Sequence, residues 1–164
     1  MKGLQDLGCL DSKIQVTTFW KDLKCFGEIH AKKIIQLKTY QWGFTSLERQ
    51  LNWWEKCVLA ILYRDGIDFD TNGATKHYWL DVSYIVPLVA YKYQVSIYVY
   101  SKIQNVYRTD AFIYDDTKVG QSGQVDKLES FTLVMPSSVR SICIVHNGQS
   151  DESGHFMYLK VHKA

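Results

Sequence analysis

The clearest hydrophobic pattern lies in residues 45–66, where apolar side chains recur every three to four positions and predict a helix. Thr45 and Glu48 match a capping box at its start, and Asp65-Gly66 ends it. The face that this helix should bury carries Leu47, Leu51, Trp54, Val58, Ile61 and Leu62. Cys57 lies inside the helix beside these positions, and we interpret it as a structural thiol.

Shorter patterns predict the other elements. We expect strands at 14–20, 95–101, 106–114, 130–135, 141–146 and 155–161, helices at 25–37 and 80–93, and loops at 68–77, 115–127 and 147–154. Asp81 is the candidate N-cap of the second of these helices, and Pro87 fits it only in the first turn, because proline lacks an N–H group. The order predicts a single α+β domain over residues 1–164, with a mixed central β-sheet packed with helices.

Composition narrows the class of protein. The chain has 164 residues, of which 46% are hydrophobic and 22% charged, as in one folded domain. With 19 basic and 17 acidic residues it has a net charge of only +2, which argues against a nucleic-acid partner. Its longest apolar run, at 84–91, is too short to span a membrane, and the N-terminus lacks the apolar run of a signal peptide. We therefore expect an intracellular protein of the cytoplasm, a host's cytoplasm if the source is viral or bacterial, and the sequence does not fix its oligomeric state.

The spacing of the cysteines argues against a metal site, and we interpret them as reduced thiols. The chain has Cys9, Cys25, Cys57 and Cys143, and no two of them form a C-x-x-C pair. A zinc ribbon or a thioredoxin-like motif is therefore not expected, and we predict neither a metal site nor a cofactor.

Cys25 is the candidate nucleophile, because the patterns place it at the start of the predicted helix 25–37. There the helix dipole and free backbone N–H groups would favour a thiolate and could hold an oxyanion. His155, which opens the last predicted strand, could take the thiol proton. His146, at the end of the preceding strand, is its rival, and the residues alone leave the choice open.

Four segments together resemble the ovarian-tumour (OTU) family of cysteine proteases, most of which are deubiquitinases. They are DLKCF at 22–26, LERQL at 47–51, YWLDVSYIVPLVAYKYQVSIYVYS at 78–101 and GHFMYL at 154–159. The resemblance covers roughly residues 14–162. It implies an OTU-like cysteine protease fold and a thiol-dependent isopeptidase that removes ubiquitin or a ubiquitin-like protein.

The resemblance also implies roles for individual residues. Cys25 would be the nucleophile, His155 the general base within about 4 Å of it, and Asp22 the neighbouring carboxylate. The backbone N–H groups of Leu23, Lys24 and Cys25 would form the oxyanion hole. Asn147, Asp151 or Asp22 would orient the imidazole, since Met157 and Tyr158 follow the His-Phe pair where the family often has Asn or Asp.

Other interpretations stay open. Leu23 stands where the family has glycine, and if the local backbone is the same, Leu23→Gly should not reduce activity. DLGC at 6–9 offers Cys9 as another nucleophile. The chain could instead be a catalytically inactive OTU-like ubiquitin-binding module, a polyprotein-processing cysteine protease, or an unrelated α+β binding domain.

Overall fold

The computed structural model describes residues 1–38, 82, 85–103, 105–115, 125–136, 140–146 and 156–160. These residues form helices and strands in an α+β arrangement, as the sequence predicts. The helices are α1 (Lys2–Asp6), α2 (Val16–Lys38) and α3 (Ile85–Tyr93). The strands are β1 (Ser96–Ile103), β2 (Val106–Tyr114), β3 (Val125–Ser130), β4 (Ser141–His146) and β5 (Phe156–Leu159).

The strands form one mixed sheet in the order β3-β2-β1-β4-β5. The central strand β1 runs antiparallel to β2 and parallel to β4, with Ser96 opposite Ser141 and Ser101 opposite His146. At the two sides, β3 pairs antiparallel with β2, and β5 pairs antiparallel with β4, where Phe156 lies opposite His146. Consequently β5 begins at the end of the sheet where β1 and β4 finish.

The main core lies between the helices and one face of the sheet. Alternate residues of the strands point into it, as expected for the two-residue period of a strand. From β1, β2 and β4 these include Ile97, Val99, Phe112 and Ile142, which pack with Leu4 of α1 and with the buried residues of α2 and α3. The opposite face of the sheet, called here the second face, carries a smaller buried cluster of Tyr98, Ala111 and Cys143.

Helix α2 overturns the prediction of a strand at 14–20, because this helix already begins at Val16. The β-branched residues Val16, Thr17 and Thr18 favour a strand locally, but all three are exposed in the first turn. The positions that are buried, Phe19, Trp20, Leu23 and Gly27, recur at helical spacing. Burial of this face therefore prevails over the local strand preference. The helix predicted at 25–37 is the second part of α2.

Helix α3 confirms a helix within 80–93, and Pro87 lies in its first turn, as required. All residues from Ile85 to Ala90 are buried, so the helix passes between α2 and the sheet. Phe26 of α2 packs on Tyr91, with ring centroids 5.6 Å apart, and Phe19 stacks on Tyr93 at 6.1 Å. These aromatic contacts hold α2 against α3.

Three predicted strands, 95–101, 106–114 and 141–146, are confirmed as β1, β2 and β4, and the last one is confirmed where it is described, as β5. Two predictions in between are wrong. The loop expected at 115–127 gives way to β3 from Val125, and the strand expected at 130–135 ends at Ser130. Residues 131–136 continue without regular structure, because side chains of the neighbouring strands bind their backbone, as described below.

The predicted helix 45–66, with Cys57 and its proposed core residues, lies outside the described residues, as do the loop 68–77 and Asp81. None of the described helices is long and apolar enough to cross a membrane.

Candidate functional site

Cys25 lies in the interior of α2, with nine helical residues before it and thirteen after it. The prediction that it stands at a helix N-terminus is therefore wrong. Its side chain is exposed, on the solvent face of a helix that buries Leu23 and Gly27 on the other side. The helix dipole acts mainly within the first and last turns, so it gives this thiol little assistance.

The predicted oxyanion hole is also contradicted. Inside an α-helix, the N–H groups of Leu23, Lys24 and Cys25 point along the axis towards carbonyls four residues earlier, so they are not free to bind a substrate oxygen. Leu23 is 0% exposed and belongs to the core. Because this position packs a helix against the core and does not turn a loop, it has no need of a glycine.

Asp22 and Cys25 lie three residues apart on the exposed face of α2, so they are neighbours on its surface. Both are close enough to the ammonium group of Lys92 to act on it. Burial lowers the pKa of Lys92, and the neighbouring side chains of Asp22 and Cys25 oppose that shift. Lys24 forms a separate pair with Glu28, at 4.0 Å on the same helix.

His155, the predicted base, and Asn147 and Asp151, its predicted orienting residues, lie outside the described residues, so the distance from Cys25 to His155 stays a prediction. The surrounding elements show how the sheet is oriented. Lys92, near Cys25, is at the end of α3, just before β1 begins. Phe156, which follows His155 in sequence, lies opposite the last residue of β4. A six-residue strand such as β4 spans about 20 Å, so Cys25 and the first residue of β5 lie towards opposite ends of it.

Cys9 follows α1, which lies so close to β4 that a Cβ on Gly3 would be 2.7 Å from Ile142 Cγ2. The Cys9 thiol accepts a hydrogen bond from the Arg140 guanidinium, with Nη2 to Sγ at 3.2 Å. Arg140 directly precedes β4, whereas His146 ends β4, with its ring 4.8 Å from that of Phe156. The structure therefore does not bring the alternative pair, Cys9 and His146, together.

Sequence reasoning missed an apolar cavity of about 560 Å³ on the second face of the sheet. Its walls include Tyr100, Tyr107, Leu133, Met135, Val145 and Leu159. Lys102 and His146 add polar groups, and Cys143 adds a free thiol whose pKa burial raises. The regular alternation of β1 and β4 could have indicated which side chains share this face. The sequence could not have shown that residues 133–136 close one side of it.

Residues 131–136 cross the second face as a strap that side chains of β1 and β2 fasten. The Thr109 hydroxyl donates to the carbonyl of Thr132 at 2.8 Å and accepts from the N–H of Val134 at 3.2 Å. The Tyr100 hydroxyl donates to the carbonyl of Val134 at 2.9 Å. These bonds take the place of a strand ladder, which explains why this segment has strand-like composition but is not a strand.

Tyr93, which lies near Cys9 and Asp22, should make the free energy of unfolding depend on pH in the alkaline range. Burial raises the pKa of Tyr93 to about 12 from 10, and nearby Asp22 and Cys9 raise it too. Because the folded protein holds this proton more tightly, the contribution to stability is complete below pH 10 and is lost as the pH rises towards about 12. Denaturant unfolding across this range should show a smaller loss of stability in Tyr93→Phe than in the wild type. Parallel stability curves for the two proteins would contradict the assignment.

Comparisons of the chain with known protein families, with curated proteins and with solved structures gave no significant match.

Proposed function

We propose that the chain is a catalytically inactive OTU-like module that binds ubiquitin or a ubiquitin-like protein. The observation that carries the inactive form of this proposal is the position of Cys25 in the middle of α2. A thiol nucleophile for acyl transfer needs donors for the developing oxyanion and a base within reach. The backbone around Cys25 has its N–H groups directed into the helix, so the first requirement is not met there.

The choice of ubiquitin as the partner rests on the resemblance of the four sequence segments to the OTU family. Three features of the structure are compatible with this resemblance. They are the α+β architecture, the buried helix α3 leading directly into β1, and an antiparallel last strand that starts just after His155. These features support the proposal without identifying the family.

The isopeptidase is the second candidate. Its support is that the Cys25 thiol is exposed, with Asp22 one turn away on the same face. It requires a substrate-bound arrangement in which oxyanion donors and the general base come from elements other than the backbone of α2.

A ubiquitin probe with a C-terminal electrophile, together with unmodified ubiquitin, separates the two candidates. We expect unmodified ubiquitin, or a ubiquitin-like protein tested in parallel, to bind wild type and Cys25→Ala with equal affinity in calorimetry. We also expect the matching probe to give no covalent adduct at Cys25 by mass spectrometry, because only an activated thiolate attacks it rapidly.

Other results of this experiment would contradict the inactive module. A covalent adduct that is lost in Cys25→Ala would support the isopeptidase with Cys25 as its nucleophile. An adduct that is lost in Cys9→Ala would identify Cys9 as the nucleophile. If the folded protein neither binds nor reacts with any of these proteins, the proposed partner is wrong.

A further inference from the structure

We propose that the cavity on the second face of the sheet is a binding site for a small amphiphilic carboxylate, with its hydrocarbon chain in the cavity and its carboxylate at Lys102. This site is separate from Cys25, which lies on α2 on the other side of the sheet, and the proposal does not depend on ubiquitin binding.

The size and lining of the cavity favour a small molecule. Its volume, about 560 Å³, lies within the range of about 300–1,000 Å³ typical of small-molecule sites. Tyr107, Leu133 and Leu159 give it aromatic and aliphatic walls. Moving methylene groups from water to such walls is favourable, so an unbranched hydrocarbon chain is a suitable occupant.

Two polar side chains beneath the cavity, Tyr100 and Cys143, are already hydrogen-bonded, which keeps this part of its base apolar. The Tyr100 hydroxyl donates to the carbonyl of Val134 and lies 3.8 Å from the Cys143 sulfur. Burial, with the hydrogen bond to Cys143, raises the pKa of Tyr100, so the phenol stays neutral. A ligand therefore meets an uncharged surface here and needs no hydrogen-bonding group along its chain.

The charge at the rim selects the head group. Lys102 is exposed and lies opposite Tyr107 in the β1–β2 register, with its ammonium nitrogen 5.3 Å from the centre of that ring. Among the described residues that line the cavity there is no Asp or Glu, and none in the described part of the chain forms an ion pair with Lys102. The described part of the rim is thus positive, which matches an anionic group. A carboxylate supplies that charge at the end of an apolar chain.

The strap provides an adaptable wall. Leu133 and Met135 line the cavity although they are 58% and 72% exposed, so a bound chain would cover apolar surface that otherwise faces water. Met is flexible and fits irregular apolar shapes. The backbone of the strap is fixed by Thr109 and Tyr100, so only side chains need to move.

The test is calorimetric titration with decanoate below its micelle-forming concentration, beside decan-1-ol, which has the same chain without the charge. We expect saturable one-to-one binding of decanoate, about threefold to fivefold tighter than that of the alcohol, as for a partly exposed ion pair. Lys102→Met should weaken decanoate by the same factor and leave the alcohol unchanged. The matched control, Lys13→Met, changes an exposed lysine far from the cavity in sequence and should bind both ligands as the wild type does.

Leu159→Trp tests the cavity itself, because Leu159 is partly exposed on the outer strand β5 and a larger side chain there should be tolerated by the fold. It should weaken both ligands about tenfold or more, with an unchanged circular dichroism spectrum. Equal affinities for acid and alcohol would refute the carboxylate, and decanoate binding that survives both Lys102→Met and Leu159→Trp would refute the site. No saturable binding of either ligand to the folded wild type would refute the proposal as a whole.

Discussion

Replacing Leu23 with glycine is expected to lower the free energy of unfolding by about 3–6 kcal/mol. The side chain is 0% exposed, and truncating a buried leucine to alanine typically costs about 2–5 kcal/mol through lost burial and the cavity left behind. Glycine in a helix interior costs about 1 kcal/mol more than alanine. The substitution that the resemblance alone predicts to leave activity intact should therefore damage the fold.

The measurement is denaturant unfolding followed by circular dichroism, with Leu23→Ala as the intermediate step of the series. Ile29→Ala is the matched control, because Ile29 is an aliphatic residue of the same helix that is 53% exposed. It should change stability by no more than about 0.5 kcal/mol. If Leu23→Ala and Ile29→Ala lower the stability equally, Leu23 does not pack in the core. The interpretation of Leu23 as a loop residue before a helix would then have to be considered again.

Most of the sheet could be predicted from the sequence, and the reasons are physical. In β1 and β4, runs of β-branched and aromatic residues lie where the strands are buried, so local preference and tertiary packing agree. In α2 they disagree. The residues from Val16 to Thr18 favour a strand, but the apolar side chains that follow recur at helical spacing, and burial of that face determines the structure. The prediction of a strand at 130–135 is wrong because of contacts with residues distant in sequence. Hydrogen bonds from Thr109 and Tyr100 to the backbone of the strap take the place of pairing with a neighbouring strand.

The candidate site also shows the difference between local sequence preference and tertiary structure. A four-residue motif specifies residue types, whereas the chemistry of a thiol depends on where its helix begins. Because the helix begins at Val16 and not at residue 25, the N–H groups around Cys25 are inside the helix and are not free. The cavity on the second face was not predictable, because its walls come from four strands and the strap, and only the tertiary structure brings them together.

The second large effect is expected at Phe112, where substitution by alanine should lower the free energy of unfolding by about 3–5 kcal/mol. Phe112 is 0% exposed in β2 and lies opposite Ile97, within the core that the helices cover. Phe131 provides the same substitution at an exposed site, since it begins the strap and is 79% exposed. Phe131→Ala should therefore stay within about 0.5 kcal/mol of the wild type. Chemical denaturation of the two variants side by side tests whether the strap is a surface feature, as the structure has it, or a buried strand, as the composition of residues 130–135 suggests. A loss at Phe131 comparable to that at Phe112 would mean that this segment packs as a core strand in solution, and the open cavity beside it would then be closed.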